Sequence, residues 1–242
     1  MSGASIRTLR RDERAEVLAL LDEWPLSDGW RGRDFFRRYV ELDPTYADEN
    51  FQVAEQDGQL VACVQTFPRQ LRVRGATLPV GGIGSVFTSE KARGSGVASR
   101  LLEASVAAMR ERGMEVSLLF ASRHAFYARL GWLLWPRQRP LWISADANAA
   151  PDASRRVDAF DATRDLDEVM ALHGRYSASR DGTVARDRAF WLGQLGFAGN
   201  PTEEFQVARD ASGRIEAYIR SSLFEGFCAI LAPSEIKATF RS

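Results

Sequence analysis

The chain has 242 residues, of which 32 are basic, 32 are acidic and 45% are apolar. This composition is typical of a globular protein with one large domain or two small ones. A net charge near zero, without a basic run, gives sequence-independent nucleic-acid binding no electrostatic support, so we expect no nucleic-acid partner. No segment approaches the roughly 18 apolar residues of a membrane span, and the N-terminus lacks an apolar core of signal-peptide length. The sequence therefore predicts a cytoplasmic protein with no membrane partner.

Cysteine and histidine are scarce. Two cysteines, Cys63 and Cys228, and two histidines, His124 and His173, provide neither a disulfide framework nor a cluster of metal ligands. We therefore expect both cysteines to be packing residues and no metal to take part in function.

The first 73 residues predict alternating elements. Val17, Leu18 and Leu21 recur at helical spacing, and Asp57-Gly58 is typical of a hairpin turn. The predicted elements are a strand over residues 6–9, helices over 11–24 and 32–42, and a hairpin of residues 51–56 and 60–73.

A glycine-rich strand over residues 80–88 then leads through an arginine-glycine turn into an amphipathic helix over residues 96–112. Gly94 and Gly96 permit a tight turn because they lack a Cβ. The first turn of the helix adds unpaired N–H groups and the positive end of the helix dipole, which suits the turn to a pyrophosphate. Glycines at positions 81, 82 and 84 weaken the strand and often mark a bulge or the close approach of a ligand.

Two kinds of phosphate site fit poorly. A Walker A loop needs a lysine and a Ser or Thr after its last glycine, whereas Gly96 is followed by Val97 and Ala98. A dinucleotide fingerprint would need three glycines where this turn has two, and Glu115 stands at the start of the next strand instead of its end. ATP, GTP and NAD are therefore disfavoured as ligands.

The turn Arg93-Gly94-Ser95-Gly96-Val97-Ala98 resembles the Q/R-x-x-G-x-G/A signature of the GNAT superfamily of N-acetyltransferases. The resemblance implies that residues 93–98 hold the pyrophosphate of acetyl-CoA, as a co-substrate. It also implies that backbone groups of Val86, Phe87 and Thr88 pair with the pantetheine arm.

A second segment of the same family comes after a predicted strand over residues 116–121. Residues 124–132 include Phe126-Tyr127 and Gly131-Trp132, which look like the family's FY-x-x-x-G-F/W segment. The resemblance implies that Tyr127 faces the sulfur of CoA and is the catalytic residue. Its spacing to Phe126 and Leu130 is also typical of core packing, but the phosphate loop upstream favours the functional interpretation.

The predicted fold class is that of the GNAT family, an α/β (α+β) fold with a mixed, mostly antiparallel sheet flanked by helices. The resemblance covers about residues 4–145, with a last strand over 133–143, so we predict an acetyltransferase domain at 1–145. A polar, alanine-rich linker is expected at 146–155.

Residues 156–242 predict a partial repeat of this domain. Phe205-Gln206-Val207-Ala208 duplicates Phe51-Gln52-Val53-Ala54, and neighbouring landmarks keep the same offset of about 154 residues. Tandem domains of this kind resemble the enhanced intracellular survival family, although the sterol-carrier-like domain of that family is absent. The offset places the repeat's phosphate loop beyond Ser242, so we expect the repeat to bind no CoA.

We expect the repeat's helices over 166–176 and 188–195 and its hairpin to pack against the first domain or another subunit. The tail over 225–240 is either the strand that closes the gap in this half-sheet or the foreign end of a shortened chain. An isolated half-sheet would expose a strand edge and an apolar face. A homo-oligomer is therefore one expected arrangement.

The function predicted from these features is transfer of an acetyl group from acetyl-CoA to a primary amine of a small molecule or protein, by direct attack on the thioester. The sequence does not identify the general base. Acids near the expected acceptor groove either form an acidic, aromatic pocket or belong to solvated helix faces; they are Asp22, Glu23, Asp28, Asp34 and Glu41. Alternative hypotheses are a non-catalytic acyl-CoA-binding sensor or interaction module, and a dinucleotide-binding enzyme built on an all-parallel sheet.

Overall fold

The computed structural model describes residues 3–26, 30–134, 155–197, 203–224 and 227–230. The chain divides into two compact units, of which the first comprises Met1–Leu134 and Asp181–Phe197 and the second Trp135–Arg180 and Ala198–Ser242. Each unit therefore contains two separate stretches of chain. The expected division at the 146–155 linker places residues 181–197 with the second domain, whereas these residues pack with the first unit.

The elements succeed one another in an order close to that predicted, and short 3-10 turns precede α1, β2 and α3. They are β1 (Ser5–Thr8), α1 (Arg14–Asp22), α2 (Gly32–Glu41), β2 (Phe51–Gln56), β3 (Gln59–Val73), β4 (Ala76–Thr88), α3 (Val97–Glu111), β5 (Val116–Leu119), α4 (His124–Ala128), β6 (Arg156–Ala159), α5 (Ala162–Ala178), β7 (Thr183–Val184), α6 (Arg188–Phe197), β8 (Glu203–Arg209), β9 (Ile215–Phe224) and β10 (Phe227–Ile230).

The first unit is built on one mixed sheet in the order β1-β2-β3-β4-β5, with β7 paired to the far end of β3. Strands β1 to β4 are antiparallel and β5 is parallel to β4. This arrangement confirms the predicted mixed, mostly antiparallel sheet flanked by helices. The all-parallel sheet required by the dinucleotide hypothesis is not formed by the described strands. The predicted last strand, at 133–143, lies outside the described residues except for Leu133 and Leu134.

Apolar side chains cover both faces of this sheet because successive residues of a strand point in opposite directions. Val53 and Cys63 face a cluster that includes residues of α1 and α2. Ala54, Ala62 and Val64 face a second cluster, to which α3 contributes. The sheet is therefore a layer between two sets of helices.

Packing accounts for two of the glycines in β4. A Cβ on Gly81 would lie 1.9 Å from Met109 Sδ of α3, and a Cβ on Gly84 would lie 2.8 Å from the ring of Phe67 on β3. The suggestion that these glycines mark the approach of a ligand is therefore corrected at these two positions, where neighbouring side chains fill the space.

Residues 181–197 belong to the first unit through backbone pairing and close helix contact. Gly182 N–H donates to Arg72 O, and Ala185 N–H donates to Gln70 O, both at 2.8 Å. A Cβ on Gly193 of α6 would lie 2.2 Å from Leu42 O, so this glycine lets the helix approach the end of α2. The helix predicted over 188–195 as part of the repeat, α6, thus packs with the first unit.

The second unit contains a four-stranded antiparallel sheet in the order β10-β9-β8-β6, with α5 packed against β9. Its core includes Leu166, Val169, Val207 and Tyr218. Within the predicted tail strand, Phe227–Ile230 pairs with β9.

Candidate functional site

Strands β4 and β5 separate part of the way along the sheet. Their pairing runs from Val80–Val116 to Ile83–Leu119, where β5 ends, while β4 continues to Thr88. The edge of β4 beyond Ile83 therefore has no backbone partner from β5. Such an edge can pair with an extended ligand.

The backbone direction along this edge can be read from two hydrogen bonds. Glu115 N–H donates to Pro79 O at 3.0 Å, so the backbone N–H and C=O groups of odd-numbered β4 residues point toward β5 as far as Ile83. A bulge lies in β4 between Gly84 and Phe87. Beyond it, Ser89 N–H donates to Val61 O at 2.8 Å, so the backbone groups of odd-numbered residues now point toward β3. The amide groups of Val86 and Thr88 therefore point to the open edge.

Phe87, which is predicted to bind the pantetheine arm together with Val86 and Thr88, pairs with Cys63 of β3. Its ring stacks on Trp24 at a centroid distance of 5.8 Å. The structure thus assigns Phe87 to the core between the sheet and the first two helices. Only its neighbours present backbone groups to the open edge.

The glycine turn leads from β4 into α3. Gly94 and Gly96 have φ angles of 78° and 77°, and a Cβ built on either meets no heavy atom within 4 Å. Ser95 Oγ donates to Ala92 O at 2.7 Å, and Arg93 N–H donates to Glu90 O at 3.2 Å, which fixes the turn. The backbone conformation requires glycine, and the space beside it is open.

The start of α3 is suited to an anion. Its first intrahelical bond runs from Arg100 N–H to Gly96 O at 3.2 Å, so the amides of Val97 and Ala98 have no acceptor within the helix. No acidic residue lies in the first turn, and Val97 is buried in the core. Arg93 lies beside the strand end, where its Nε donates to Thr88 O at 3.3 Å.

Tyr127 of α4 packs against the same apolar cluster as Val86 and Val97. Its ring meets Phe126 and Trp132 edge-on at 5.1 and 6.1 Å, and Trp132 Nε1 donates to Ser117 Oγ of β5 at 3.2 Å. The structure therefore brings Tyr127, the open strand and the start of α3 around one cluster.

The Tyr127 hydroxyl makes no hydrogen bond to the described residues. Partial burial raises the pKa of Tyr127, and the nearby Arg123 opposes this to a smaller extent. The hydroxyl is therefore protonated at neutral pH and can act as a hydrogen-bond donor.

The carboxylates considered for an acceptor pocket have cationic partners where the structure describes contacts for them. Asp22 accepts from the backbone N–H of Arg33 at 3.0 Å and pairs with Arg31 at 3.1 Å. Asp34 pairs with Arg37 at 2.9 Å. Asp28 lies outside the described residues. These contacts fit the interpretation of solvated helix faces, and no general base emerges from them.

Sequence reasoning missed Ser85, which lies in a bulge of β4, and Gln65, its hydrogen-bond partner on β3. Ser85 has a φ of 48°, and its Oγ donates to Gln65 Oε1 at 2.9 Å. The nearby glycines were the available signal for an irregular strand, but nothing in the sequence marked a serine as left-handed.

The described residues contain no group of three or more His, Cys, Asp and Glu side chains suited to a metal. Cys63 is buried, which raises the pKa of its thiol to about 12 and makes it a poor nucleophile. Among the helices that the structure describes, none is long and apolar enough to cross a membrane.

Comparison with known proteins agrees with this geometry. A family model described as an acetyltransferase (GNAT) domain matches residues 5–134. An uncharacterized N-acetyltransferase of Streptomyces griseus is 27% identical over 229 residues, which cover 87% of this chain and 53% of the relative. The chain thus spans about half the length of this curated relative.

Two solved structures share the fold. A GCN5-related N-acetyltransferase from Anabaena variabilis superposes with a TM-score of 0.69 at 15% identity, covering 94% of this chain and 57% of that one. Eis1 from Mycobacterium abscessus gives a TM-score of 0.60 at 19% identity, covering 90% and 53%. The family match extends over more than half of the chain, so this protein belongs to the GNAT acetyltransferase family.

Proposed function

We propose that the first unit is an acetyl-CoA-dependent N-acetyltransferase that moves the acetyl group to a primary amine by direct attack on the thioester. The observation that carries the proposal is an open strand edge leading directly into a glycine turn and a helix N-terminus. Arg93 Nε lies 3.3 Å from Thr88 O and links these two parts.

The residues present fit the co-substrate. The glycine turn and the free amides of Val97 and Ala98 suit a pyrophosphate, because both backbone conformation and helix dipole favour an anion there. The edge amides of Val86 and Thr88 suit the pantetheine arm, since an extended chain can pair with an open strand edge. Together they support residues 93–98 and the end of β4 as the binding site.

Acetyl-CoA supplies an activated acyl carbon and a thiolate leaving group. Backbone N–H groups at the open edge would stabilise the charge that develops on the thioester oxygen, in the manner of an oxyanion hole. Tyr127 would donate a hydrogen bond to the leaving sulfur. The phenol has a pKa of about 10 and the thiol about 8.5, so complete proton transfer is uphill by roughly 2 kcal/mol. Burial raises the pKa of Tyr127 further, which favours a hydrogen bond over proton transfer.

The proposed acceptor is a primary amine on a small molecule or a protein, which attacks in its neutral form. We propose that the second unit binds no cofactor and serves a structural or substrate-gating role. A cytoplasmic location stays a prediction from the sequence.

The test is acetyl-CoA consumption across a panel of aminoglycosides, polyamines, amino acids and protein amines, beside a hydrolysis control without amine. We expect amine-dependent release of CoA with at least one class. CoA binding without transfer to any acceptor would favour the non-catalytic acyl-CoA module. A protein that binds neither CoA nor acetyl-CoA would overturn the assignment of the site.

A further inference from the structure

Strand β4 carries one extra residue at the start of its open edge. Gly84 pairs with Gln65, and Phe87 pairs with Cys63, so two residues of β4, Ser85 and Val86, oppose a single residue of β3. This is a β-bulge, and its first residue is a non-glycine with a φ of 48°. A left-handed conformation at such a residue is costly and persists only where its surroundings hold it.

Two buried side chains stabilise this bulge. Ser85 is 7% exposed and Gln65 is 2% exposed, and the Ser85 hydroxyl donates to Gln65 Oε1 at 2.9 Å. The Cys63 thiol also contacts Ser85 O at 3.4 Å. Burying an amide and a hydroxyl without hydrogen bonds costs free energy. The hydrogen bond between Ser85 and Gln65 therefore stabilises the bulged backbone conformation.

The bulge determines which amides reach the open edge. Ile83 lies in the cluster beside α3, and the extra residue returns Val86 to that side and Phe87 to the side of α1 and α2. Without it, the two-residue period would place Phe87 on the α3 side and turn the Val86 and Thr88 amides toward β3.

We propose that Ser85 and Gln65 are positioning residues for acyl transfer, because their hydrogen bond holds the bulge that directs the Val86 and Thr88 amides at the pantetheine arm and thioester. This inference depends on the proposed function.

The experiment compares Ser85→Gly, Gln65→Met and the double variant with the natural chain. Glycine accepts the left-handed backbone, so Ser85→Gly removes the hydrogen bond without adding strain. Affinities are measured by calorimetry for acetyl-CoA and for 3′-phosphoadenosine 5′-diphosphate, which has the phosphates of acetyl-CoA but no pantetheine arm. Ser105→Ala is the control, since it removes a buried hydroxyl that donates to Leu101 O at 2.8 Å within α3.

We expect each single variant to weaken acetyl-CoA binding about tenfold, with no further loss in the double variant, because both changes remove one hydrogen bond. The affinity for the armless probe should stay unchanged, and the control should keep both affinities. Unchanged acetyl-CoA binding, or a parallel loss for both probes, would overturn the proposal. A natural chain that binds neither probe would instead refute the proposed function, and with it this inference.

Discussion

Four strands in each unit share one topology. The order β1-β2-β3-β4 in the first unit corresponds to β6-β8-β9-β10 in the second, and all neighbours in both sets are antiparallel. In each unit a helix comes after the first of these strands. Both units therefore contain four antiparallel strands in a corresponding order.

Strand register is also shared. Thr8 pairs with Gln52 in the first unit, and Ala159 pairs with Gln206 in the second. The register between the second and third strands shifts directly after Ala54 and directly after Ala208. Because these positions lie at the offset of the shared Phe-Gln-Val-Ala sequence, they support the duplication proposed from the sequence.

An ion-pair network occupies the same place in both units with its charges rearranged. In the first unit Arg7 on β1 contacts Glu13 at 2.6 Å and Glu55 on β2 at 2.5 Å. In the second unit the arginine is on β8: Arg209 contacts Asp158 on β6 at 3.0 Å and Asp165 at 2.5 Å.

The acid at the helix start plays the same part in each network. Glu13 accepts from the Arg10 backbone N–H at 2.9 Å, and Asp165 accepts from the Asp161 backbone N–H at 3.0 Å. A network that tolerates exchange of its charges between strands serves to join helix and sheet. We infer that it belongs to the scaffold and not to the chemistry.

The units differ beyond the fourth strand. Strand β4 has 13 residues and leads into the glycine turn and α3, whereas β10 has four residues and the described part of the second unit ends at Ile230. The candidate site thus lies where the first unit departs from this shared arrangement, along the longer β4 and at the glycine turn and α3 that follow it.

The largest expected effect comes from placing a carboxylate in the phosphate turn. Gly96→Glu should reduce acetyl-CoA affinity by more than about a hundredfold, because the new charge occupies the anion site and the backbone there is left-handed. Calorimetry measures the loss.

Gly213→Glu in the second unit is the matched control. Gly213 also has a positive φ, of 88°, with no heavy atom within 4 Å of a built Cβ, so it shares the strain without the site. Equal loss of affinity in both variants would show that the effect is strain alone.

The second effect tests the two ion-pair networks. Arg209→Met should destabilise the protein by about 2–3 kcal/mol, because buried Asp165 loses one of its two cationic partners and keeps only Arg164, at 2.7 Å. Arg209 is 7% exposed and Asp165 1%, whereas Arg7 is 24% exposed. Arg7→Met should therefore cost less. Denaturant unfolding measures both free energies.

Exchanging the charges sharpens this test. The double variant Arg7→Glu/Glu55→Arg gives the first unit the arrangement of the second, so it should be more stable than Arg7→Glu alone. A double variant less stable than the single one would contradict the equivalence of the two networks.

Tyr127→Phe should lower kcat about a hundredfold and change acetyl-CoA affinity by less than about twofold, because the hydroxyl acts on the leaving sulfur in the transition state. Tyr218→Phe in the second unit is the control. It removes a buried hydroxyl that lies 3.2 Å from His173 Nδ1, and it should affect stability but not kcat. An unchanged kcat for Tyr127→Phe, with chemistry as the slow step, would return Tyr127 to a packing role.

The smallest effect is a dependence of stability on pH. The hydrogen bond from Arg7 lowers the pKa of Glu13 from 4.5 to about 2. A lowered folded pKa contributes stability that is complete above the unfolded value and is lost as pH falls through the folded one. The difference in unfolding free energy between the natural chain and Glu13→Gln should therefore shrink between pH 4.5 and about 2. A difference that does not vary over this range would contradict the role of the ion pair.

Local sequence determined much of the fold and the site. Glycines at positions 94 and 96 predicted the turn because only residues without a Cβ adopt its left-handed backbone readily. Apolar periodicity predicted most helices and strands, since one face of each must be buried. The resemblance located Tyr127, which the structure places against the same cluster as the open strand.

Tertiary structure decided the rest. Gly81 is explained by Met109 of α3, the left-handed Ser85 by a buried partner on β3, and the assignment of α6 by its contact with the end of α2. Each depends on residues distant in sequence that fill the same space. Local propensity and periodicity contain no information about such neighbours. Only the packed chain therefore determines the bulge, the orientation of its amides and the packing of residues 181–197 with the first unit.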